Sequence, residues 1–311
     1  MPNLTKEQLN HFKEFGFLKV ENLIDPEKII DPIIDEYHTV LNNLAEKLFD
    51  EGKISSKYED LDFGERVTRI YAESGEVYNQ FIDFSLPQTG IKEDTPFWAG
   101  PAVFNALKDD NLLDAVESII GHEIFSNPIQ HVRIKVPESE APKDENGLVK
   151  FGATPWHQDA GVATEEVDNT NMLTVWFPLM DASEENGCLE FIPGSHRKKE
   201  TLNHYTDNNP NYTLNQELKK SCYNPNKSIS LCLKAGQMSI HDVYLVHGSK
   251  ENKSKKSRRG MTMRFMPTTS YFDRSFAKQI SLDTGIDHRE RTLFLMSGID
   301  KSGKNDFRIR M

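Results

Sequence analysis

The sequence predicts a mainly β fold, a sandwich or barrel, with helices packed ahead of it. Three observations carry this. Residues 1–125 hold apolar stripes at helical spacing. From residue 126 to 270 the pattern changes to short β-type runs separated by turn residues. The length of 311 residues, with 37% hydrophobic and 27% charged, is enough to bury a core without a disulfide or metal staple. The whole chain reads as one domain, with 271–311 as a C-terminal extension.

The elements follow in order. Thr5 can cap a short helix carrying Leu9, Phe12 and Phe15, which Gly16 ends. Residues 17–20 then read as a strand. Ile30, Ile33, Ile34, Tyr37, Leu41, Leu44 and Leu48 make the stripe of a long helix. Its start is open: Asp25-Pro26 and Asp31-Pro32 both suit a cap and first turn, and Pro32 would kink a helix begun at Pro26. A further helix covers Asp110 to Ile120 and stops at Gly121.

The β-type runs are 131–136, 172–179, 188–192, 229–233, 238–241 and 260–266. Two long polar inserts, 137–150 and 197–227, interrupt them and read either as lids over a site or as disordered surface loops.

Lys plus Arg total 37 against 48 Asp plus Glu, a formal net charge of −11. A protein that tracks phosphates would show a basic excess, so nucleic acid is not the expected partner. No run approaches the ~18 apolar residues of a membrane span. The polar N-terminus has no secretory pattern, and Cys188, Cys222 and Cys232 are sparse and lack metal-type spacing. Together these predict a cytoplasmic protein with reduced thiols, and the sequons at Asn3, Asn211, Asn226 and Asn252 read as chance.

The chemistry concentrates in Thr154-Pro155-Trp156-His157-Gln158-Asp159. In an extended chain, side chains two apart share a side, so an imidazole at 157 and a carboxylate at 159 can reach one metal ion. Two histidines and a carboxylate on one face of an octahedron suit Fe(II) and leave positions open for a co-substrate and oxygen. Alone, His-x-Asp is a weak motif. His247 supplies a third ligand after a β-type run, and Arg258 follows eleven residues later at the start of another. Such an arginine suits the distal carboxylate of 2-oxoglutarate, which its planar fork can grip with two parallel hydrogen bonds. His241, followed by Asp242, is a rival third ligand.

These residues resemble the phytanoyl-CoA dioxygenase family of Fe(II)/2-oxoglutarate oxygenases. Phe12-Lys13-Glu14-Phe15-Gly16-Phe17-Leu18 resembles the family's opening, and Trp156-His157-Gln158-Asp159 its metal motif. Leu173-Thr174-Val175-Trp176-Phe177-Pro178-Leu179 is similar to the strand behind that motif. Asn186-Gly187-Cys188-Leu189 and Ile192-Pro193-Gly194-Ser195-His196 resemble its turns. His247-Gly248-Ser249, with Asn252, Arg258 and Arg264, resembles its C-terminal block.

The resemblance implies a double-stranded β-helix, the cupin-like jelly roll, flanked by N-terminal helices. It implies Fe(II) held by His157, Asp159 and His247, and 2-oxoglutarate anchored by Arg258 beside Trp176. Lys135 matches a strand position that contacts 2-oxoglutarate in related hydroxylases. The implied reaction couples O2 and 2-oxoglutarate, giving succinate and CO2, to oxidation of an unactivated C–H bond in a small molecule. Halogenases of this superfamily usually lack the carboxylate, so Asp159 argues against halogenation. A fatty acyl-CoA hydroxylase and a non-catalytic metal-binding β-helix are the alternatives.

Other polar residues have simpler readings. Arg258 and Arg259 lie in a basic run with Lys250, Lys253, Lys255 and Lys256, which by itself reads as a solvated loop or a nuclear-localisation patch. We read the lysines as solvated, Arg258 as buried, and Arg259 as pointing the other way. His196 reads as a structural hydrogen-bonder; His122, His204 and His288 have no partner in sequence. His131, Arg133 and Lys135 share one face of a strand, either polar-out patterning or a basic wall inside the barrel. In the second case His131 and Arg133 would bind a carboxylate-bearing substrate.

Overall fold

The structure, a computed structural model, describes residues 4–82, 100–127, 130–162, 171–214, 216–272 and 293–310. The chain starts with α1 (Lys6–Phe15) and β1 (Phe17–Val20), followed by α2 (Asp31–Asp50), α3 (Phe63–Ser74), α4 (Asn79–Ile82), α5 (Pro101–Leu107) and α6 (Asp110–Ile120). Next come β2 (Ile124–Ser126), β3 (His131–Lys135), β4 (Thr154–His157), the single turn α7 (Asp159–Val162), β5 (Leu173–Pro178) and β6 (Leu189–Phe191). The remaining strands are β7 (His204–Thr206), β8 (Gln216–Leu218), β9 (Ile229–Leu231), β10 (Met238–Asp242), β11 (His247–Ser249), β12 (Arg258–Pro267), β13 (Leu293–Ser297) and β14 (Phe307–Arg310).

Local chemistry explains the first elements. Thr5 accepts from the Gln8 amide while the Gln8 side chain returns to the Thr5 amide, closing a capping box. Gly16 ends α1 at φ 83°, a left-handed position that favours glycine. The long helix begins at Pro26, capped by the Asp25 carboxylate. Its first turn, Pro26–Ile30, is π-helical, and the Asp31 amide donates to the Pro26 carbonyl. Pro32 has no amide to donate and its ring crowds the carbonyl four residues back, so the wide turn absorbs the fault without ending the helix.

Two sheets form a jelly roll. The large one runs β1-β10-β5-β12-β2-β13-β14, with β3 also paired to β12. The small one runs β4-β11-β6-β9. The large sheet draws strands from both flanks, since β1 joins β10 and β13 joins β2.

Alternation along the large sheet decides what each face meets. Val132, Ile134, Val175, Phe177, Ile240, Met261 and Met263 face outward into one core with Ile33, Tyr37, Leu41 and Leu44 of α2. Each fully buried aliphatic side chain there contributes on the order of 2 kcal/mol. The polar partners of the alternation, from His131 to Arg264, face the other sheet and line a cavity between the two.

The described parts of both inserts are paired to the scaffold. The first turns back on itself at Asp144, whose amide donates to the Leu148 carbonyl, and is tied to the loop before β12 by the Glu138 amide, which donates to the Asn252 carbonyl at 2.7 Å. The second forms the β7–β8 hairpin, and its Asn211 and Thr213 backbone bonds to Ala153 beside β4.

Candidate metal centre

His157 closes β4 and His247 opens β11, and the two pair directly in the small sheet. Their rings stand 4.1 Å apart between centroids. Asp159 lies two residues beyond His157. The sequence reading placed it on an extended chain, but the strand stops at His157 and Asp159 opens α7. Its carboxylate still converges: one donor atom from each of His157, Asp159 and His247 lies within 4.8 Å of the others, all three buried.

The two histidines are held alike. His157 Nδ1 meets the Pro155 carbonyl at 2.8 Å, and His247 Nδ1 meets the Leu245 carbonyl at 2.9 Å. In each case the carbonyl is two residues back, which leaves Nε2 as the donor toward the cluster. Burial lowers the His157 pKa to about 4 and holds His247 well below the usual imidazole range. Both rings are therefore neutral and ready to bind a cation without first losing a proton.

Asp159 is oriented from the large sheet. Arg264 Nη2 donates to Oδ1 at 2.6 Å and Thr174 Oγ1 to Oδ2 at 2.5 Å. His241 Nε2 comes within 3.5 Å of Oδ2 without hydrogen-bond alignment, and neither of its ring nitrogens has a hydrogen-bond partner. His241, Thr174 and Arg264 form one cross-strand row, His241 opposite Thr174 and Thr174 opposite Arg264. His241 is thus adjacent to the cluster and outside its donor set.

Gln158, between the two motif residues, is fully buried. Its side-chain nitrogen donates to the carbonyls of Tyr244 and Glu200, at 2.6 and 3.2 Å, and its oxygen accepts from the Leu202 amide at 2.7 Å. Its backbone N–H donates to His204 Nε2 at 3.1 Å. This single residue ties the motif to the turn before β11 and to the second insert. His204, for which the sequence suggested no partner, takes part in that tie.

Arg258 lies on β12 and is 2% exposed. Its Nε and Nη2 donate to the Gly187 carbonyl at 3.2 and 2.9 Å, and it stands 5.4 Å from the Trp176 ring centre. No carboxylate pairs with it among the described residues. Burial lowers its pKa to about 10. Trp176 lies across Gly260, where a Cβ would fall 2.4 Å from the indole. The glycine makes room for the ring beside Arg258.

All eight residues singled out from sequence line one cavity of about 120 Å³. The face of β3 carrying His131, Arg133 and Lys135 points inward, so the polar-out reading of that strand is corrected. The outward face is needed for Val132 and Ile134 to meet the helices. Lys135 is buried opposite Arg258 in register. Its ammonium donates to Ser249 Oγ and the Lys250 carbonyl, each at 2.6 Å, and to the Ser249 carbonyl at 3.3 Å. Burial, reinforced by Arg258, holds its pKa well below the usual lysine range.

Sequence reasoning did not single out Thr174 or assign a role to Arg264. Period two along β12 would have found Arg264, which shares a face with Arg258. Among the other histidines, His196 Nε2 contacts the Lys13 carbonyl at 3.3 Å and His122 pairs with Glu117 at the surface. His288 and most of 271–311 lie outside the described residues. No helix among the described residues is long and apolar enough to cross a membrane.

A family model described as phytanoyl-CoA dioxygenase matches residues 12–260. The chain is 26% identical over 277 residues to a phytanoyl-CoA dioxygenase domain-containing protein 1 homolog of Dictyostelium discoideum, covering 85% of this chain and 91% of that protein. Among solved structures, a non-heme monooxygenase, ThoJ in its apo form, matches with a TM-score of 0.59 at 15% identity, over 98% of this chain and 87% of that one. CytC3 with Fe(II) and alpha-ketoglutarate matches with a TM-score of 0.53 at 17% identity, over 98% and 93%. At these identities the structural likeness is one of fold.

Proposed function

The chain belongs to the phytanoyl-CoA dioxygenase family, and from that membership we propose that it oxidises an unactivated C–H bond of a small, carboxylate-bearing metabolite. It is a 2-oxoglutarate-dependent dioxygenase, with Fe(II) and 2-oxoglutarate as cofactor and co-substrate. The donor set fits the metal: two neutral imidazoles and one carboxylate, buried together, with further positions left to other ligands.

In this reading His157 and His247 bind Fe(II) through Nε2, and Asp159 binds as the carboxylate. Bound Fe(II) with 2-oxoglutarate and O2 supplies the oxidant for C–H cleavage as the co-substrate becomes succinate and CO2. Arg264 and Thr174 fix the Asp159 carboxylate so that it needs no reorganisation when the metal enters. Arg258 offers the unpaired cation that the distal carboxylate of 2-oxoglutarate requires, with Trp176 beside it. Lys135 adds positive charge at the same end while its protons secure the end of β11. The buried walls keep bulk water from the reacting carbon.

One observation carries the substrate class: Arg133, Lys135, Arg258 and Arg264 line the cavity against a single carboxylate, Asp159, among the described residues. Such an excess favours an anionic guest. His131 and Arg133 are proposed to face the substrate's carboxylate. The cationic lining favours a small anionic guest over a long acyl chain. Oxidation then ends in hydroxylation, or in ring closure or desaturation of the natural-product type, according to how the substrate is held.

Two measurements test this. Anaerobic titration with Fe(II) and 2-oxoglutarate should give the visible metal-to-ligand charge-transfer band. The band should survive His241→Ala, vanish in His247→Ala, and need more 2-oxoglutarate in Arg258→Ala. Substrate-triggered succinate formation should then be screened over small carboxylic acids, amino acids and acyl thioesters. Stimulation by acyl thioesters alone would overturn the carboxylate assignment.

A further inference from the structure

Arg258 and Arg259 point to opposite faces of β12. Arg259 emerges between the large sheet and α3, at a separate cavity of about 680 Å³. Its guanidinium lies 5.6 Å from the Phe63 ring centre. Beyond that contact it makes no hydrogen bond or ion pair among the described residues, and its Nε is buried without a partner. Ser257, 3% exposed, lines the same cavity, and its Oγ also has no partner.

Buried polar groups are nearly always satisfied, and leaving one without a partner is costly, the more so when it is charged. Ser257 is buried and Arg259 half-buried with its Nε enclosed, and the two face one cavity two residues apart, so a single acceptor placed there would meet both. We propose that this cavity is a second small-molecule site, separate from the metal centre, which takes the oxyanion group of a partly apolar ligand. A carboxylate or phosphate would accept from the Arg259 fork and from Ser257 Oγ together.

The surroundings fit. Arg69, Lys255 and Lys256 line the mouth. The Asp62 carboxylate also lines it and its charge acts on Arg259, while its Oδ1 accepts from the amides of Gly64 and Glu65, at 2.8 and 3.0 Å. Glu65 and Glu140 are exposed at the rim and remain in water. Ile34, Leu61, Phe63 and Met180 provide an apolar wall for the rest of the ligand. Gly64 keeps the floor open, since a Cβ there would fall 2.7 Å from Ser257 Oγ. The volume is within the ~300–1,000 Å³ range of small-molecule pockets. None of this depends on the oxidation chemistry proposed above.

The test is titration calorimetry of the full chain with octanoate and with octyl phosphate, which separates a carboxylate-headed from a phosphate-headed ligand. We expect one saturable site per chain for at least one probe. Arg259→Gln should weaken it about tenfold and Ser257→Ala about threefold, the losses expected for a charge-assisted and a neutral hydrogen bond. Arg258→Gln should leave it within about twofold, because successive strand side chains point to opposite faces and this one lines the other cavity. Gly64→Ala, which presses on the serine hydroxyl, gives a second route if Arg259→Gln does not fold, and it should also weaken binding. No saturable heat up to roughly 10 mM of either probe would overturn the site. So would affinity unchanged in the folded Arg259 or Gly64 variant, or affinity lost in Arg258→Gln.

Discussion

Arg264 and Asp159 form a buried ion pair, with Nη2 2.6 Å from Oδ1. Burial pushes the Asp159 carboxyl up. The Arg264 charge, followed by His241 and His247, more than reverses that and holds it well below the usual carboxylate range. The proposed metal ligand is thus kept ionised by a residue of the opposite sheet, and the pair ties the two sheets together.

Removing one partner of such a pair strands the other charge. Arg264→Met is expected to destabilise the metal-free protein by about 3–5 kcal/mol, and Thr174→Val by about 1–2 kcal/mol. Urea denaturation followed by circular dichroism checks both. An Arg264→Met midpoint equal to the wild type would mean that the pair contributes nothing to folding.

The buried histidines set a pH dependence. With its folded pKa near 4 against an ordinary 6.5, His157 stays neutral in the fold while the unfolded chain takes a proton. The unfolded state therefore binds more protons between those values, and stability rises with pH across that window. The contribution is complete above 6.5 and lost as pH falls toward 4. For His157 alone it is on the order of 3 kcal/mol, and His247, depressed in the same direction, adds to it. The melting temperature of the chelated protein should fall steeply over this range, and less steeply in His157→Gln. A flat profile in the wild type would refute the burial-driven shift.

Much of this arrangement was legible in sequence. Thr5, Gly16 and the α2 stripe mark their elements through capping chemistry and period 3.6, both local properties. The set His157, Asp159, His247 and Arg258 follows from spacing and family resemblance. What sequence left open depends on contacts between distant strands. Whether His131, Arg133 and Lys135 faced water or the cavity was settled by Val132 and Ile134 packing on α2, which alternation alone does not reveal. The proposal of His247 over His241 as a ligand draws on register, because His247 pairs with His157 across β4 and β11. The strands β13 and β14 were missed because short apolar runs in a polar tail carry little periodic signal.

The packing of Trp176 on Gly260 makes a sharp steric prediction. The first atom of any side chain at 260 would fall 2.4 Å from the indole, so the ring must leave its place beside Arg258. Gly260→Ala should cost about 1–3 kcal/mol as an overpacking substitution. It should also raise the 2-oxoglutarate concentration needed for half-maximal charge-transfer absorbance, while Fe(II) affinity measured without 2-oxoglutarate stays near that of the wild type. A matching loss of Fe(II) affinity would mean that the ring supports the whole cavity and not its co-substrate end.

Gln158 makes the most dispersed prediction. Three side-chain hydrogen bonds connect it to the turn before His247 and to the start of the second insert. Gln158→Leu conserves most of the volume but leaves the Tyr244 and Glu200 carbonyls and the Leu202 amide without that partner. Buried groups left in this way cost about 1–3 kcal/mol each when water does not reach them. The Tyr244 carbonyl is the one most enclosed by the motif, so its loss should displace the turn that positions His247. The Leu202 amide belongs to the insert, which should open to water. Limited proteolysis is expected to cut Gln158→Leu within 197–227 faster than the wild type, and Fe(II) affinity should fall with it. Faster cleavage with Fe(II) affinity unchanged would show that the insert and the metal site are held independently, and that the glutamine serves only the first.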